Sequence, residues 1–286
     1  MTAAALRVPR LFARLVKLEH TVFALPFAYT GALLAEGGIP PASDWLWITV
    51  AMVGARTLAM GLNRLIDAGL DAKNPRTAAR ELPAGALTPV AVLGLCGAAL
   101  GVYLIAVLQL APIVRLLWPI PVVLFVIYPY LKRTTWLCHL WLGACTGLAP
   151  TGAWIAVSGH APWEAWALGA AQGTWVAGFD LFYSLFDLDH DREVGLHSWA
   201  TRFGERGVFR GARALHVLAV ALLAAVGAGL GLGTWYWLGV AAVAVLLVYE
   251  HRLIRPGDLR RLDAAFFNVN GVIAVVFFLF VLLESL

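Results

Sequence analysis

An all-α polytopic membrane protein is predicted here from composition, the length of the apolar runs and the placement of the basic residues. The 286 residues are 61% hydrophobic and only 13% charged, with a mean hydropathy of +0.79. An ordinary soluble domain carries about 25% charged residues, so water is not the main solvent of this chain. Apolar runs of roughly 20 residues recur from end to end, the length of helix that crosses a hydrocarbon core of about 30 Å. These runs are continuous, which favours helices over a barrel, because a lipid-exposed backbone must satisfy its own hydrogen bonds.

Nine spans in a single domain over 1–286 follow in order. Residues 1–18 contain VPRLFARLVKL, where arginines and apolar residues at helical spacing suit an interfacial amphipathic segment or a basic, topology-setting flank. No cleavage pattern follows, so a signal peptide is not expected. The spans are placed at 19–36, 44–63, 88–108, 111–130, 136–158, 163–184, 208–231, 234–251 and 264–284. Turns rich in Gly and Pro separate them, as in EGGIPPASD, LAPIV and SGHAPWEAW. Small residues in GACTGLAPTGA and AVGAGLGLG permit close helix contact. Trp45, Trp47, Trp163, Trp235 and Trp237 sit near span ends as interfacial anchors. Cys96, Cys138 and Cys145 are scattered in apolar runs, a set that suggests packing and not disulfides or metal.

The basic residues give the orientation. Arg7, Arg10, Arg14 and Lys17 lead the chain, and the loops after spans two, four, six and eight carry most of the rest. In all, 19 of the 21 Lys and Arg fall on one side, while the opposite turns hold only Arg115. That side is cytoplasmic by the positive-inside rule, with the amino end inside, in the cell's inner (cytoplasmic) membrane. The net charge of +4 says less than this placement, and no nucleic-acid partner is expected.

Acidic residues then stand where the lipid-spanning runs end. Asp67 and Asp71 are four residues apart, as are Asp187 and Asp191. On a helix this spacing puts both carboxylates on one face, one turn apart. Asn63 precedes the first pair by four and Tyr183 precedes the second by four, which extends each into a stripe. A lone pair of this kind is commonly a solvated helix end. Two pairs on the same membrane side, each followed by basic residues, point to a site. Hard carboxylate oxygens favour Mg²⁺, which takes one or two carboxylates and completes its shell with water and phosphate. Lys73, Arg76 and Arg80 follow the first pair, Arg192 and Arg202 follow the second, and Lys132 and Arg133 come from a third loop on that side, cations of the kind that bind phosphate oxygens. Carboxylates, a divalent metal and cations describe a diphosphate site, and the lipid bilayer beside it suggests an isoprenoid tail. For Arg76 and Arg133 the positive-inside rule alone is an equally good account.

The stretch NRLIDAGLDAKNPRTAARELPAG has the form NxxxDxxxD with an RTxxRxLPxG tail, and FDLFYSLFDLDHDREVGLHS has the form DxxYxxxDxxxD. With YPYLKRTTWL between them, these segments resemble the UbiA superfamily of intramembrane aromatic prenyltransferases. The resemblance implies nine helices around a central cavity, two Mg²⁺ ions and a polyprenyl diphosphate donor. By the same resemblance Asn63, Asp67 and Asp71 would bind one ion and Asp187 and Asp191 the other. Arg76, Arg80, Lys132 and Arg133 would contact the diphosphate; His197 stands where related enzymes often carry a lysine. Arg56, two turns before Asn63 in the middle of span two, is at a costly depth for a charge. The resemblance suggests that it binds the carboxylate of an aromatic acid acceptor; an internal ion pair is the plainer account. Tyr128 and Tyr183 would shield a cation or orient the acceptor, or serve as interfacial aromatics. Asp189 and Asp180 are weaker candidates for the metal, and Asp189 points off the stripe.

The implied reaction transfers the prenyl group to a ring carbon of a hydroxylated aromatic acid in quinone biosynthesis. A 4-hydroxybenzoate-type acceptor is expected first and 1,4-dihydroxy-6-naphthoate of menaquinone biosynthesis second. Asp191 or the diphosphate itself are the options for the base that removes the ring proton. A transporter is the alternative of another class. It should place ionisable groups near the midplane of several spans, whereas only Arg56 lies so deep. A non-catalytic lipid-binding scaffold is the third.

Overall fold

The computed structural model describes residues 11–12, 14–15, 21–254 and 268–286. Most of the expected interfacial segment 1–18 lies outside these, as do Arg7, Arg10, Lys17, Arg255, Arg260 and Arg261 and the start of the ninth expected span. All regular structure among the described residues is helical. In chain order the helices are α1 (Thr21–Glu36), α2 (Ala42–Asp71), α3 (Pro89–Gln109), α4 (Val114–Leu117), α5 (Pro119–Leu131), α6 (Cys138–Ser158), α7 (Trp163–Tyr183), α8 (Leu188–Val194), α9 (Trp199–Leu230), α10 (Thr234–Leu253) and α11 (Asn270–Glu284).

Local chemistry sets several boundaries. Thr88 caps α3 by accepting a hydrogen bond from the Ala91 backbone N–H at 3.2 Å, with Pro89 in the first turn. Ser198 and Thr201 form a reciprocal capping box at the start of α9. Gly159 ends α6 in the left-handed conformation, with φ of 74°. Six segments are long and apolar enough to cross a membrane: α2, α3, the α4–α5 segment Val114–Leu131, α6, α9 and α10. The chain is a multi-pass membrane protein on this evidence. Helices α1 and α11 are apolar but have 16 and 15 described residues. Helix α7 is long enough but carries Glu164, Gln172 and Asp180.

The helices pack in a closed order, α2 on α3 and α5, α5 on α6, α6 on α7, α7 on α9, α9 on α10, α10 on α11, α11 on α1 and α1 on α2, with α1 also packed on α6. Their outer faces are apolar: Val90 and Leu93 on α3 are 78% and 61% exposed, whereas Val92 and Cys96 face inward. Such exposure is sensible only against lipid. The largest core cluster joins Phe27, Trp154, Leu168, Trp175, Tyr236 and Phe277. At the α6–α7 contact the backbones nearly touch. A Cβ on Gly143 would stand 2.3 Å from the Gly173 carbonyl oxygen, and one on Gly147 would stand 2.3 Å from that of Gly169. Glycine is needed at these crossings so that α6 and α7 approach closely.

Candidate active site

Helix α2 runs unbroken beyond its lipid-spanning part to Asp71. Regular helix at four-residue spacing therefore lines up Asn63, Asp67 and Asp71 as a stripe, and the Asn63 amide donates to Asp67 Oδ2 at 3.1 Å. Asp67 and Asp71 are 2% and 6% exposed, and buried carboxylates need cationic partners. Lys132 Nζ is 2.7 Å from Asp67 Oδ2, and Arg133 Nη2 is 3.1 Å from Oδ1. Arg133 is braced by donating to the carbonyls of Pro129 and Ile66 at 2.7 and 3.0 Å. Arg80 Nη1 donates to both oxygens of Asp71 at 2.8 Å.

The second stripe departs from expectation. Tyr183 is the last residue of α7, and Ser184–Asp187 forms a tight 3₁₀ turn before α8 begins. Tyr183, Asp187 and Asp191 therefore do not share one continuous helical face. The physical cause is local: Ser184 Oγ donates to the Leu181 carbonyl at 2.6 Å, a back-bond that competes with the α-helical ladder. Asp187 is then gripped from the loop after α2. Arg76 donates through Nε to Asp187 Oδ1 at 2.8 Å and through Nη2 to Oδ2, and Asn74 Nδ2 donates to Oδ1 at 2.9 Å. The same guanidinium donates to Tyr183 Oη at 3.2 Å. Burial works to raise the Asp187 carboxyl, but the bonds and charge of Arg76 outweigh it and hold the group below the ordinary range. Asp191, by contrast, is pushed up to about 6 by burial and then by the neighbouring charge of Asp187.

These residues converge. A cavity of about 230 Å³ is lined by Asn63, Asp67, Asp71, Arg76, Arg80, Tyr128, Lys132, Tyr183, Asp187, Asp191 and His197. Eleven of the thirteen residues expected in the site thus face one hollow. Arg133 does not line it but supports Asp67 from behind. Arg56 does not line it either; it is half-buried on α2. Asp189 is exposed. The lining residues that were not anticipated include Arg64, Asn74 and His139, whose Nδ1 is 2.7 Å from Asp180 Oδ2. Arg64 and Asn74 flank the first carboxylate pair, so proximity to the motif was a usable signal. His139, in an apolar run, gave none.

Five lining carboxylates (Asp67, Asp71, Asp180, Asp187, Asp191) share the cavity with four permanent cations (Arg64, Arg76, Arg80, Lys132). Such a wall can hold a polyanion on the cations and a divalent metal on the carboxylates. Among the described residues no group of three or more His, Cys, Asp or Glu is arranged to hold a metal ion by itself. Mg²⁺ does not need an all-protein cage, since substrate phosphates and waters complete its octahedron. The hard-oxygen donors of Asn63, Asp67, Asp71, Asp187 and Asp191 fit a metal that arrives with a diphosphate.

Known proteins resemble this chain over most of its length. The profile of the UbiA prenyltransferase family matches residues 24–280. The 4-hydroxybenzoate octaprenyltransferase of Vibrio campbellii is 30% identical over 282 residues, covering 95% of this chain and 93% of that one. The protein of the same name from Aliivibrio fischeri is 31% identical over 275 residues, covering 95% and 92%. Among solved structures, the apo form of a UbiA homolog from Aeropyrum pernix superposes with a TM-score of 0.85 at 33% identity, covering 94% of this chain and 98% of that one. A UbiA homolog from Archaeoglobus fulgidus bound to DMAPP and Mg²⁺ gives 0.73 at 15% identity, covering 96% and 98%, a likeness of fold.

Proposed function

The chain belongs to the UbiA prenyltransferase family, and on that premise we propose that it transfers a polyprenyl group from an allylic diphosphate to a ring carbon of 4-hydroxybenzoate or a close hydroxylated aromatic acid in quinone biosynthesis. The observation that carries this reading is the single cavity in which Asp67 and Asp71 meet Asp187 and Asp191 beside Arg76, Arg80 and Lys132. The curated relatives are named for 4-hydroxybenzoate and an octaprenyl group, and the Archaeoglobus fulgidus homolog was solved with DMAPP and Mg²⁺; both support the choice of substrates. In this reading α1, α7 and α11 complete nine spans, the amino end is cytoplasmic, and the cavity opens to the cytoplasmic side.

Two Mg²⁺ ions are proposed, one on Asn63, Asp67 and Asp71 and one on Asp187 and Asp191, and when bound they offset the charge that develops on the departing diphosphate. Arg76, Arg80 and Lys132 exchange their carboxylate partners for phosphate oxygens and orient the leaving group. Tyr183, at the end of α7, and Tyr128, on α5, present aromatic faces to the allylic carbon and help keep water from it. His197, which lines the cavity, adds a contact at the diphosphate end.

The test is an assay of purified protein with Mg²⁺, geranyl diphosphate, and 4-hydroxybenzoate or 1,4-dihydroxy-6-naphthoate offered separately. A prenylated aromatic acid that disappears with EDTA is expected. No product and no EDTA-sensitive diphosphate release with any aromatic acid would overturn the reading.

A further inference from the structure

We propose that Arg64 anchors the donor's diphosphate before any metal is bound; the inference rests on the prenyltransferase reading above. Arg64 lies on α2, three residues before Asp67 and seven before Asp71, so the three share one helical face. It lines the cavity and is only 6% exposed. Its Nε is buried without a hydrogen-bond partner. Its two terminal nitrogens make no hydrogen bond or ion pair among the described residues either, yet they are not sealed in. Burying a charge is costly unless it is paired, and a guanidinium cannot escape by losing its proton. The missing partner is an anion that arrives with a ligand.

The neighbours show why no carboxylate of the chain serves. The charges that reach Arg64 are those of Arg80, Asp71, Glu81 and Asp67. Asp71 gives both oxygens to Arg80. Asp67 gives its oxygens to Asn63, Lys132 and Arg133. Glu81, in the loop after α2, acts on Arg64 only from beyond ion-pair distance. Arg76 is held by Asp187. Among the described residues, then, Arg64 is the one of the four permanent cations in the cavity that has no carboxylate.

That difference sets an order of binding. Arg76, Arg80 and Lys132 turn to a phosphate only by leaving a buried carboxylate uncompensated, a cost that offsets the new bond. Once those carboxylates hold a metal, the cost is removed. Arg64 gives up no partner, so its bond to phosphate counts in full. Its planar fork suits two oxygens of one phosphate. Asp71 and Arg80 beside it put it at the end of the cavity where the diphosphate is proposed to sit. The free guanidinium holds the donor first, and the paired cations join when the metal arrives.

The experiment is calorimetric titration of the full chain in detergent with geranyl diphosphate, inorganic pyrophosphate or 4-hydroxybenzoate, in EDTA and with Mg²⁺. Wild type should bind both diphosphates in EDTA. Arg64→Gln should weaken that metal-free binding about tenfold or more, the weight of one charge-assisted bond, and Arg64→Lys should weaken it less. Arg115→Gln makes the same charge change at an exposed position on α4 and should bind like wild type. Without ligand, Arg64→Gln should melt at or above the wild-type temperature, since an unpaired buried charge is gone. A lower melting temperature would mark Arg64 as structural and overturn the assignment. Metal-free binding that is absent in wild type, or unchanged in Arg64→Gln, overturns it too, as does a loss confined to 4-hydroxybenzoate. In each of these cases a prenylated product from wild type with Mg²⁺ leaves the prenyltransferase reading standing. If wild type makes no product with any aromatic acid, the reading fails and takes the anchor with it.

Discussion

Lys132, which caps the end of α5, holds its ammonium 2.7 Å from Oδ2 of Asp67 on α2. Asp67 is almost fully enclosed, but the side chains of Lys132 and Arg133 are 32% and 31% exposed. The two cations can therefore hydrate if the carboxylate is lost, and partly exposed pairs contribute about 1 kcal/mol or less. Asp67→Asn keeps the shape and the bond from Asn63. It should lower prenylation at least about 100-fold, the usual cost of losing one charge-stabilising group, and leave thermal unfolding in detergent nearly unchanged. Retained turnover, followed by chromatography of the product, would remove Asp67 from the metal-binding set.

Arg76 ties the loop after α2 to the end of α7 through two parallel bonds to Asp187 and a third to Tyr183. A lysine cannot reproduce that fork. Arg76→Lys should weaken donor binding by about tenfold, since one lost charge-assisted bond is worth about 1.4 kcal/mol or more. The pair also has a pH signature. The folded Asp187 carboxyl lies below its ordinary 3.8, so its contribution is complete above that value and is lost as pH falls through the lowered one. Amide exchange in residues 72–88, corrected for intrinsic rates, should show flat protection at all pH above about 4. Protection that falls near neutral pH would mean another group holds the loop.

The first motif was legible because its geometry is local. Asn63, Asp67 and Asp71 sit on one uninterrupted helix, and the spacing in the chain is the spacing in space. The second motif was legible in its residues but not in its shape. Nothing in SLFD announces a 3₁₀ turn, and Asp187 is positioned by Asn74 and Arg76, which are 113 and 111 residues away. His139 and Asp180 meet only because α6 and α7 pack backbone to backbone, a distant consequence of glycines that read simply as small residues. Hydropathy misleads at α7 for a related reason. Its polar Gln172 and Asp180 face neighbours and the cavity, so one of the most enclosed helices is also among the less apolar.

Close contact of α6 and α7 should be intolerant of a single methyl group. A Cβ at 143 would meet the Gly173 carbonyl oxygen at 2.3 Å, and one at 169 would meet Thr151 Oγ1 at 2.1 Å. Backbone cannot step aside as a flexible side chain can, so the helices must separate. Gly143→Ala should lower stability by about 1–3 kcal/mol, the range for overpacking a tight interface. Gly97→Ala on α3, where nothing stands within 4 Å, is the control and should leave the melting temperature in detergent unchanged. Equal melting of the two variants would show that α6 and α7 are not pressed together.

Helix α2 offers a direct measurement of orientation. Its 30 residues span about 45 Å, which exceeds a hydrocarbon core of about 30 Å. Ser43 near its start and Lys73 just past its end are both exposed, so they should emerge on opposite sides of the membrane. The native thiols of Cys96, Cys138 and Cys145 are buried, which keeps background labelling low. With the amino end cytoplasmic, Ser43→Cys should react with an impermeant maleimide in right-side-out vesicles and Lys73→Cys in inverted ones. Labelling of Lys73→Cys from outside would put the carboxylate cavity on the wrong face, away from a cytoplasmic supply of prenyl diphosphate.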